Sequence, residues 1–435
     1  MKRAEKLISV LENAGHEAYL VGGCVRDMLM GVAPHDYDIT TSARPDEIVG
    51  AFSEYRTVLT GIKHGTVTVI CDGEPYEITT FRADGEYADH RHPESVTFST
   101  RLADDLCRRD FTVNAMAYSK KTGLIDLYGG ENDIKNGVIR AVGEPKKRFD
   151  EDALRILRAI RFASEKDFII EESTASAMRE KLPLIKFVSA ERIFVELKKL
   201  LLGKGVLRIL RDFSDIVGEI IPPLKPCIDF DQQNYHHIYD VYEHTAYAVS
   251  FCPPDVTVRL AALLHDVGKP PTFSLKDGVG HFYGHPSVSV ELAEQTLGAL
   301  KCDNATKNAV LTLIKYHDLV IEPTEKAVRR MMNKIGEELL EKLLELKSAD
   351  NLAQAPEYHG RLKQYDEIRS IMGEIKAKNE CFSLNSLAVR GEDIMALGAR
   401  GRNIGRILDA LLMLVIDGEL SNEKDALISK ARELL

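Results

Sequence analysis

From Glu17 to about Arg140 the apolar residues fall in short runs rich in β-branched and aromatic side chains, at Ala18–Val21, Tyr37–Thr40, Gly65–Ile70 and Tyr76–Phe81. Gly, Pro and Asp bound these runs, and helical stretches are mixed among them, so the pattern predicts an α+β head. Beyond Asp150 the strand signals nearly vanish. Glu151–Ala163, Ala190–Leu202, Val256–Leu264 and Asn403–Ile416 instead repeat apolar residues three and four apart, the spacing of one helical face. The rest of the chain is therefore predicted to be almost wholly helical. Breaks are expected at Gly203–Gly205, at the Pro-rich Ile221–Cys227 and at the polar stretch Gly373–Leu384, and no repeat shows at a period of roughly 20 to 50 residues.

At 435 residues with 44% hydrophobic side chains, the chain suits about two to four domains, each able to bury a core. No apolar run approaches the roughly 18 residues that span a bilayer, and Met1–Val10 is charged and amphipathic, unlike a signal peptide. No membrane partner is expected. Seven cysteines, scattered without a CxxC pair, indicate neither a disulfide framework nor a zinc-thiolate site, and a reducing cytoplasm fits them. The net charge of −10 confines any nucleic-acid surface to local clusters of Lys and Arg.

The first chemistry-bearing stretch is Leu20-Val-Gly-Gly-Cys-Val-Arg-Asp27, followed by His35-Asp-Tyr-Asp-Ile39. Gly22 and Gly23, between a strand and a helix, let the backbone approach a triphosphate, and the helix N-terminus with Arg26 supplies positive potential. In strand alternation Asp36 and Asp38 share a face, one pleat apart, as oxygen ligands for hard cations such as Mg2+. Two such ions serve in-line phosphoryl transfer, and Glu77 on a neighbouring strand is the candidate third acid.

These residues resemble the class II tRNA nucleotidyltransferase and poly(A) polymerase branch of the polymerase-beta superfamily. The resemblance continues through Arg108-Arg-Asp-Phe-Thr-Val-Asn-Ala-Met-Ala117, similar to the family's ribose-sensing block, and implies nucleotide contacts from Arg109, Asp110 and Asn114. Asp126-Leu-Tyr-Gly-Gly130 is similar to its head-to-neck turn. Glu151-Asp152-x-x-Arg155 is similar to its nucleotide-selecting motif, with Arg158 one turn further on. Three apart on a helix, Asp152 and Arg155 face the same way and present an acceptor and a fork of donors to a base edge. The carboxylate accepts from the amino group that cytosine and adenine share, Arg155 donates to the adjacent ring nitrogen, and uracil or guanine leaves those groups unpaired.

Membership leaves CCA-adding, CC-adding, A-adding and poly(A) polymerase activities open. Thr60–Val69 and the loop Arg82–Pro93 resemble CCA-adding and A-adding enzymes, and CC-adding enzymes are expected to lack the loop, so template-free CCA addition to tRNA from CTP and ATP is favoured. Lys146-Lys-Arg148, the helix of Arg155, Arg158 and Arg161, and Lys198-Lys199 with Lys204, Arg208 and Arg211 form the expected RNA-binding segment. Gly391–Gly398 and Arg400–Arg406 resemble the family's tRNA-gripping tail. The expected organisation is a nucleotidyltransferase head over 1–140, a helical neck over 141–225, a helical body over 226–360 and a helical tail over 361–435.

Within the body, His244, His265-Asp266, His285, His317 and Asp350 are spaced so that side chains on several helices can converge on a metal. Imidazole favours transition metals such as Ni2+, Co2+ or Mn2+, and Asp266 is placed to bridge to a second ion. The order H…HD…D resembles an HD-type phosphohydrolase, which implies water activated against a phosphoester. Two other readings compete, an HD phosphohydrolase with a vestigial head and a non-catalytic RNA-binding module. Binding alone requires no paired metal carboxylates, and oligomeric state is not legible.

Overall fold

The computed structural model describes residues 1–84, 96–234, 238–378 and 382–435, and the chain divides into two compact units, Met1–Ile220 and Ile221–Leu435. Most of the Arg82–Pro93 loop lies outside the described residues.

The first unit is built on a seven-stranded mixed sheet. Its strands run in the order Arg56–Val58, Thr66–Cys71, Glu74–Thr80, Ile39–Thr41, Ala18–Val21, Met116–Ser119 and Gly123–Asp126. Pairing is antiparallel except between Ile39–Thr41 and Glu74–Thr80, which run parallel with Ile39 beside Ile78. Thr66–Cys71 alternates half-buried and buried positions, as the period of two requires. One face packs Leu20, Ile39, Val67, Val69 and Ile78 against Leu7 and Leu11 of the Lys2–Asn13 helix and against Ile48 and Phe52. The other gathers Tyr19, Val21, Phe81 and Ala117 with Leu102 and Leu106 of the Leu102–Cys107 helix. Each such Leu or Ile, fully buried, contributes on the order of 1.5–3 kcal/mol of transfer free energy.

Helices follow. The continuous helix predicted over Glu151–Ala163 is instead two, Pro145–Glu151 and Leu154–Lys166, broken where Asp152 is extended (φ −144°, ψ 105°). The second buries Ile156, Leu157, Ile160 and Ala163 and packs on Ala190–Leu201. Gly203 permits the return of the chain, since a Cβ there would stand 2.4 Å from the Ser164 carbonyl carbon.

Among its described residues the second unit is helical apart from a hairpin of Ser274–Lys276 and Val279–His281. Val241–Phe251, His285–Ala299 and Glu337–Leu352 carry His244, His285 and Asp350, while His265 and Asp266 follow the end of Val256–Leu264 and His317 the end of Asn304–Tyr316. Gly391–Ala396, Arg402–Ile416 and Lys424–Leu434 enclose a separate core of Ile394, Ile407, Leu411, Ile416 and Leu427. Among the described residues no helix is long and apolar enough to cross a membrane, and the six described cysteines are free thiols.

Candidate functional site

In the head, the Ile39–Thr41 strand begins one residue after Asp38, so both acids sit on the segment leading into it rather than within it, and both are exposed. Glu77, also exposed, precedes Ile78, the strand partner of Ile39, and so lies beside Asp38. Partial desolvation and the charge of Asp36 push Asp38 up to about 6, with Glu77 adding to the rise and Arg109 opposing it. A cluster that holds a carboxyl this reluctant to ionise is relieved by a hard cation, so these oxygens fit a divalent metal.

Gly22 (φ 79°) caps the Gly23–Leu29 helix, and a Cβ on it would stand 2.9 Å from Arg109 Nη1. The glycine thus brings backbone and guanidinium together. Arg109 is held there by Asp105, a residue the sequence reading missed. Asp105 is fully buried and accepts from Arg108 (2.7 Å), Arg109 (3.2 Å) and the Thr40 hydroxyl (3.3 Å). Burial alone would raise its pKa, but Arg108 and Arg109 outweigh this and hold it below the usual range. A plain Asp inside a polar helix carries no motif that reveals this role.

Arg26 does not face open space. It is buried, donates to Asn114 Oδ1 at 2.7 Å and to Asp27 Oδ1 at 2.9 Å, and lies over the Phe162 ring. Asn114 donates in turn to Asp110, which also accepts from the Phe111 amide and from Nε and Nη2 of Arg158. Four acceptances use the lone-pair sites of one carboxylate, so Asp110 meets a ribose hydroxyl only by exchanging a partner. This buried chain joins the glycine turn to the Leu154–Lys166 helix.

Asp152 and Arg155 do not share a helical face, because Asp152 lies in the break. Its Oδ1 accepts from the Leu154 amide (3.0 Å) and its Oδ2 from Arg192 (2.8 Å), a second residue the sequence reading passed over. Arg155 donates to Glu151 at 2.6 Å and to the carbonyls of Arg148 and Arg108. Asp152 is thus held by the turn and by the Ala190–Leu201 helix, which carries Arg192 and also sets Glu196 on Arg161 at 2.6 Å. The expected basic surface shrinks accordingly: Arg148, Arg155 and Arg161 are buried in ion pairs, while Lys147, Lys199, Lys204 and Arg211 are exposed. In the tail, Arg400, Arg402 and Arg406 are exposed.

In the second unit the predicted set converges. Nδ1 of His244, His265, His285 and His317 donates to the carbonyls of Ala353, Ala262, Phe282 and Ile314 at 2.7–3.2 Å, which fixes each ring with its Nε2 turned away from the backbone. Those Nε2 atoms point inward: His244 lies 2.9 Å from Asp350, His265 3.2 Å from Asp266, and His285 and His317 3.4 and 3.7 Å from Asp266. Nε2 of His285 and His317 stand 3.2 Å apart, an arrangement of facing lone pairs that a shared proton or cation must relieve. Burial alone would lower His265, yet Asp266 and Asp350 push it up to about 10. His244, His265 and Asp350, and His265, Asp266 and His317, each present ligand atoms within 4.8 Å of one another, so the donor set fits transition metals. Lys269, also absent from the sequence reading, pairs with Asp266 at 2.7 Å.

A mixed sheet with crowded carboxylates at the head of one strand, a glutamate on the next and a glycine turn alongside defines a nucleotidyltransferase. Residues 18–140 match the poly A polymerase head domain, 167–215 the probable RNA and SrmB-binding site of polymerase A, and 285–431 the putative tRNA nucleotidyltransferase domain 2. The CCA-adding enzyme of Ligilactobacillus salivarius is 36% identical, over 100% of this chain and 96% of that protein, and that of Levilactobacillus brevis 37%, over 98% and 96%. The chain belongs to the family of CCA-adding enzymes. The crystal structure of the Bacillus stearothermophilus CCA-adding enzyme in complex with CTP superposes with a TM-score of 0.76 at 28% identity, covering 99% of this chain and 96% of that one. The Thermotoga maritima enzyme complexed with tRNA shares the fold, with a TM-score of 0.59 at 22% identity.

Proposed function

We propose that the head adds C, C and A to the 3′ end of tRNA from CTP and ATP in the cytoplasm, with residues 1–140 as head and 141–225 as neck. Asp36, Asp38 and Glu77 would hold Mg2+, which would supply an acidified primer hydroxyl and charge neutralisation at the triphosphate. The observation that carries the reading is the parallel strand register that sets Glu77 beside Asp38, next to the Gly22 turn packed against the Arg109 guanidinium. Gly22 and Gly23 admit the phosphates closely, and Arg109, fixed by Asp105, offers its guanidinium to them. Asp152 accepts from the base amino group and Arg155 donates to the ring nitrogen, while Asp110, Asn114, Arg26 and Arg158 hold the neck helix at the glycine turn. Exposed Lys and Arg of neck and tail meet tRNA phosphates. The relative solved with CTP and the curated relatives support this reading. Its test is sequencing of products made on tRNA lacking the 3′ CCA, with CTP and ATP supplied singly and together. Ordered CCA with both, and CC with CTP alone, is the expected result. A single A on tRNA already ending in CC, with no C addition, would replace it by A addition.

A second reading is favoured by the four inward Nε2 atoms: the body is a metal-dependent phosphohydrolase, in which His244, His265, Asp266 and Asp350 would hold a transition-metal ion and His285 and His317 would hold another. Bound metal supplies a water acidified for attack on phosphorus. Lys269 tempers the charge of Asp266, and the Nδ1 bonds to backbone carbonyls keep each imidazole aimed. Hydrolysis of phosphoester substrates with Mn2+, Co2+ or Ni2+ checks it, and absence of hydrolysis with all three refutes it.

A further inference from the structure

The second unit holds a cavity of about 310 Å³ whose floor is the metal-ligand cluster, with Asp266, His285, His317 and Asp350 below and His281 and Tyr283 among its walls. We propose that Tyr283, backed by His281, is a base-stacking subsite at the mouth of this cavity, so that the site takes a nucleoside phosphate, free or at the end of an RNA strand. The proposal rests on the phosphohydrolase reading for the chemistry that follows binding.

His281 ends a strand, and Tyr283 stands in the turn that follows and brings its ring back beside the imidazole. Their rings stack with centroids 5.2 Å apart and planes within 8°. The outer face of the pair is uncovered, for Tyr283 is 72% exposed, the most exposed large apolar side chain among the described residues. An aromatic ring kept in water rather than folded onto the protein leaves a hydrophobic face available to a flat ligand. The platform is also fixed in place. The Gly280 amide donates to the Gln233 carbonyl at 2.8 Å and the Asn234 side chain donates to the Gly280 carbonyl at 3.1 Å. A Cβ on Gly280 would stand 2.1 Å from the Gln232 carbonyl oxygen, so the strand is pressed against that segment. Gly284 (φ 78°) then turns the chain directly into the helix that begins with His285, so a single residue separates the stacking ring from a metal ligand.

The two ends of the cavity therefore ask for different chemistry. The floor, with the ligand cluster and the Lys269 ammonium, suits a phosphate, and the mouth suits a planar ring held at a distance from it. A nucleoside phosphate has this layout, with ribose between phosphate and base. A phosphotyrosyl peptide carries its ring directly on the phosphate and would leave Tyr283 uncovered. A sugar phosphate has no planar aromatic ring to stack. In the hydrolysis that follows, the oxygen of water forms a bond to phosphorus, the bond from phosphorus to the ribose oxygen breaks, and that oxygen takes up the proton water releases.

The test compares wild type, Tyr283→Ala and Tyr283→Phe, each loaded with Mn2+, on guanosine 3′-monophosphate and glycerol 2-phosphate. Guanine is chosen because the base selection proposed for the head excludes it. The ratio of kcat/KM for the nucleotide over glycerol 2-phosphate should fall on the order of tenfold in Tyr283→Ala, as loss of one base stack implies, and should survive in Tyr283→Phe. Calorimetric binding of guanosine 3′-monophosphate should weaken to the same extent. Equal binding by wild type and Tyr283→Ala, or an unchanged ratio, overturns the subsite. Binding that depends on Tyr283 in a protein that hydrolyses neither compound supports the subsite and removes the hydrolase reading instead. A short RNA ending in a guanosine 3′-phosphate separates the two sources: tighter binding than the mononucleotide assigns the site to strand ends, weaker binding to free nucleotides, and either supports the stack only when Tyr283→Ala weakens it. A phosphotyrosyl peptide bound more tightly than the nucleotide overturns the assignment of ligand.

Discussion

Replacing Asp38 by Asn in the metal-free protein should stabilise it at neutral pH, which is unusual for removal of a site residue. The side chain is isosteric, and the Asp38 backbone carbonyl that accepts from Val21 at 3.1 Å is untouched. The change removes a charge that desolvation, Asp36 and Glu77 make costly. A rise from 3.8 to about 6 corresponds to at most about 3 kcal/mol, at ~1.4 kcal/mol per tenfold in proton affinity. Because the side chain is exposed, screening by water reduces this to about 1 kcal/mol. For a unit of this size that is roughly 2–4 °C in Tm. The native carboxyl binds its proton more tightly than the unfolded one, so wild-type stability falls as pH rises from about 4 to about 6, and the penalty is complete above that. The Asn variant should thus gain over wild type above pH ~6 and lose its advantage below pH ~4. Scanning calorimetry in EDTA between these limits measures it, and added Mg2+ should raise the Tm of wild type more than that of the variant. A variant less stable than wild type at neutral pH in EDTA, or a gain independent of pH, would refute the reasoning.

Asp105→Asn should cost about 3 kcal/mol or more, because it strips two arginines of a fully buried partner, and urea denaturation of the intact protein measures it. Arg155→Ala should admit UTP or GTP, since each unpaired hydrogen bond that rejects the wrong base is worth about 1–3 kcal/mol. Arg192→Ala should relax selection in the same direction by freeing the Asp152 carboxylate, with no further effect in an Asp152→Ala background; single-nucleotide incorporation assays read both. A His265→Ala, Asp266→Ala double variant should lose transition-metal phosphohydrolase activity while keeping Mg2+-dependent CCA addition, and loss of both activities in a protein still folded by circular dichroism would tie the body to tRNA positioning.

What the sequence by itself determined was whatever is local. Alternation at Thr66–Cys71 and apolar spacing at Val256–Leu264 specify their elements because side-chain direction follows from backbone period alone. The Gly22-Gly23 turn and the Asp36 and Asp38 pair are also local, and so were legible as chemistry before any fold was known. The order of His244, His265, Asp266, His285, His317 and Asp350 was legible as a set, though not as a geometry, since five helices had to pack before their Nε2 and carboxylate atoms met. Only the tertiary structure decided which charges face one another. Asp105 beneath Arg109, Arg192 on Asp152 and Lys269 on Asp266 are pairings of ordinary residues whose meaning comes from burial, which removes the water that would otherwise make them interchangeable. The break at Asp152 was missed for the same reason. Its neighbours favour a helix by local propensity, and the distant Arg192 guanidinium, bonded to one carboxylate oxygen while the local Leu154 amide takes the other, outweighs that preference.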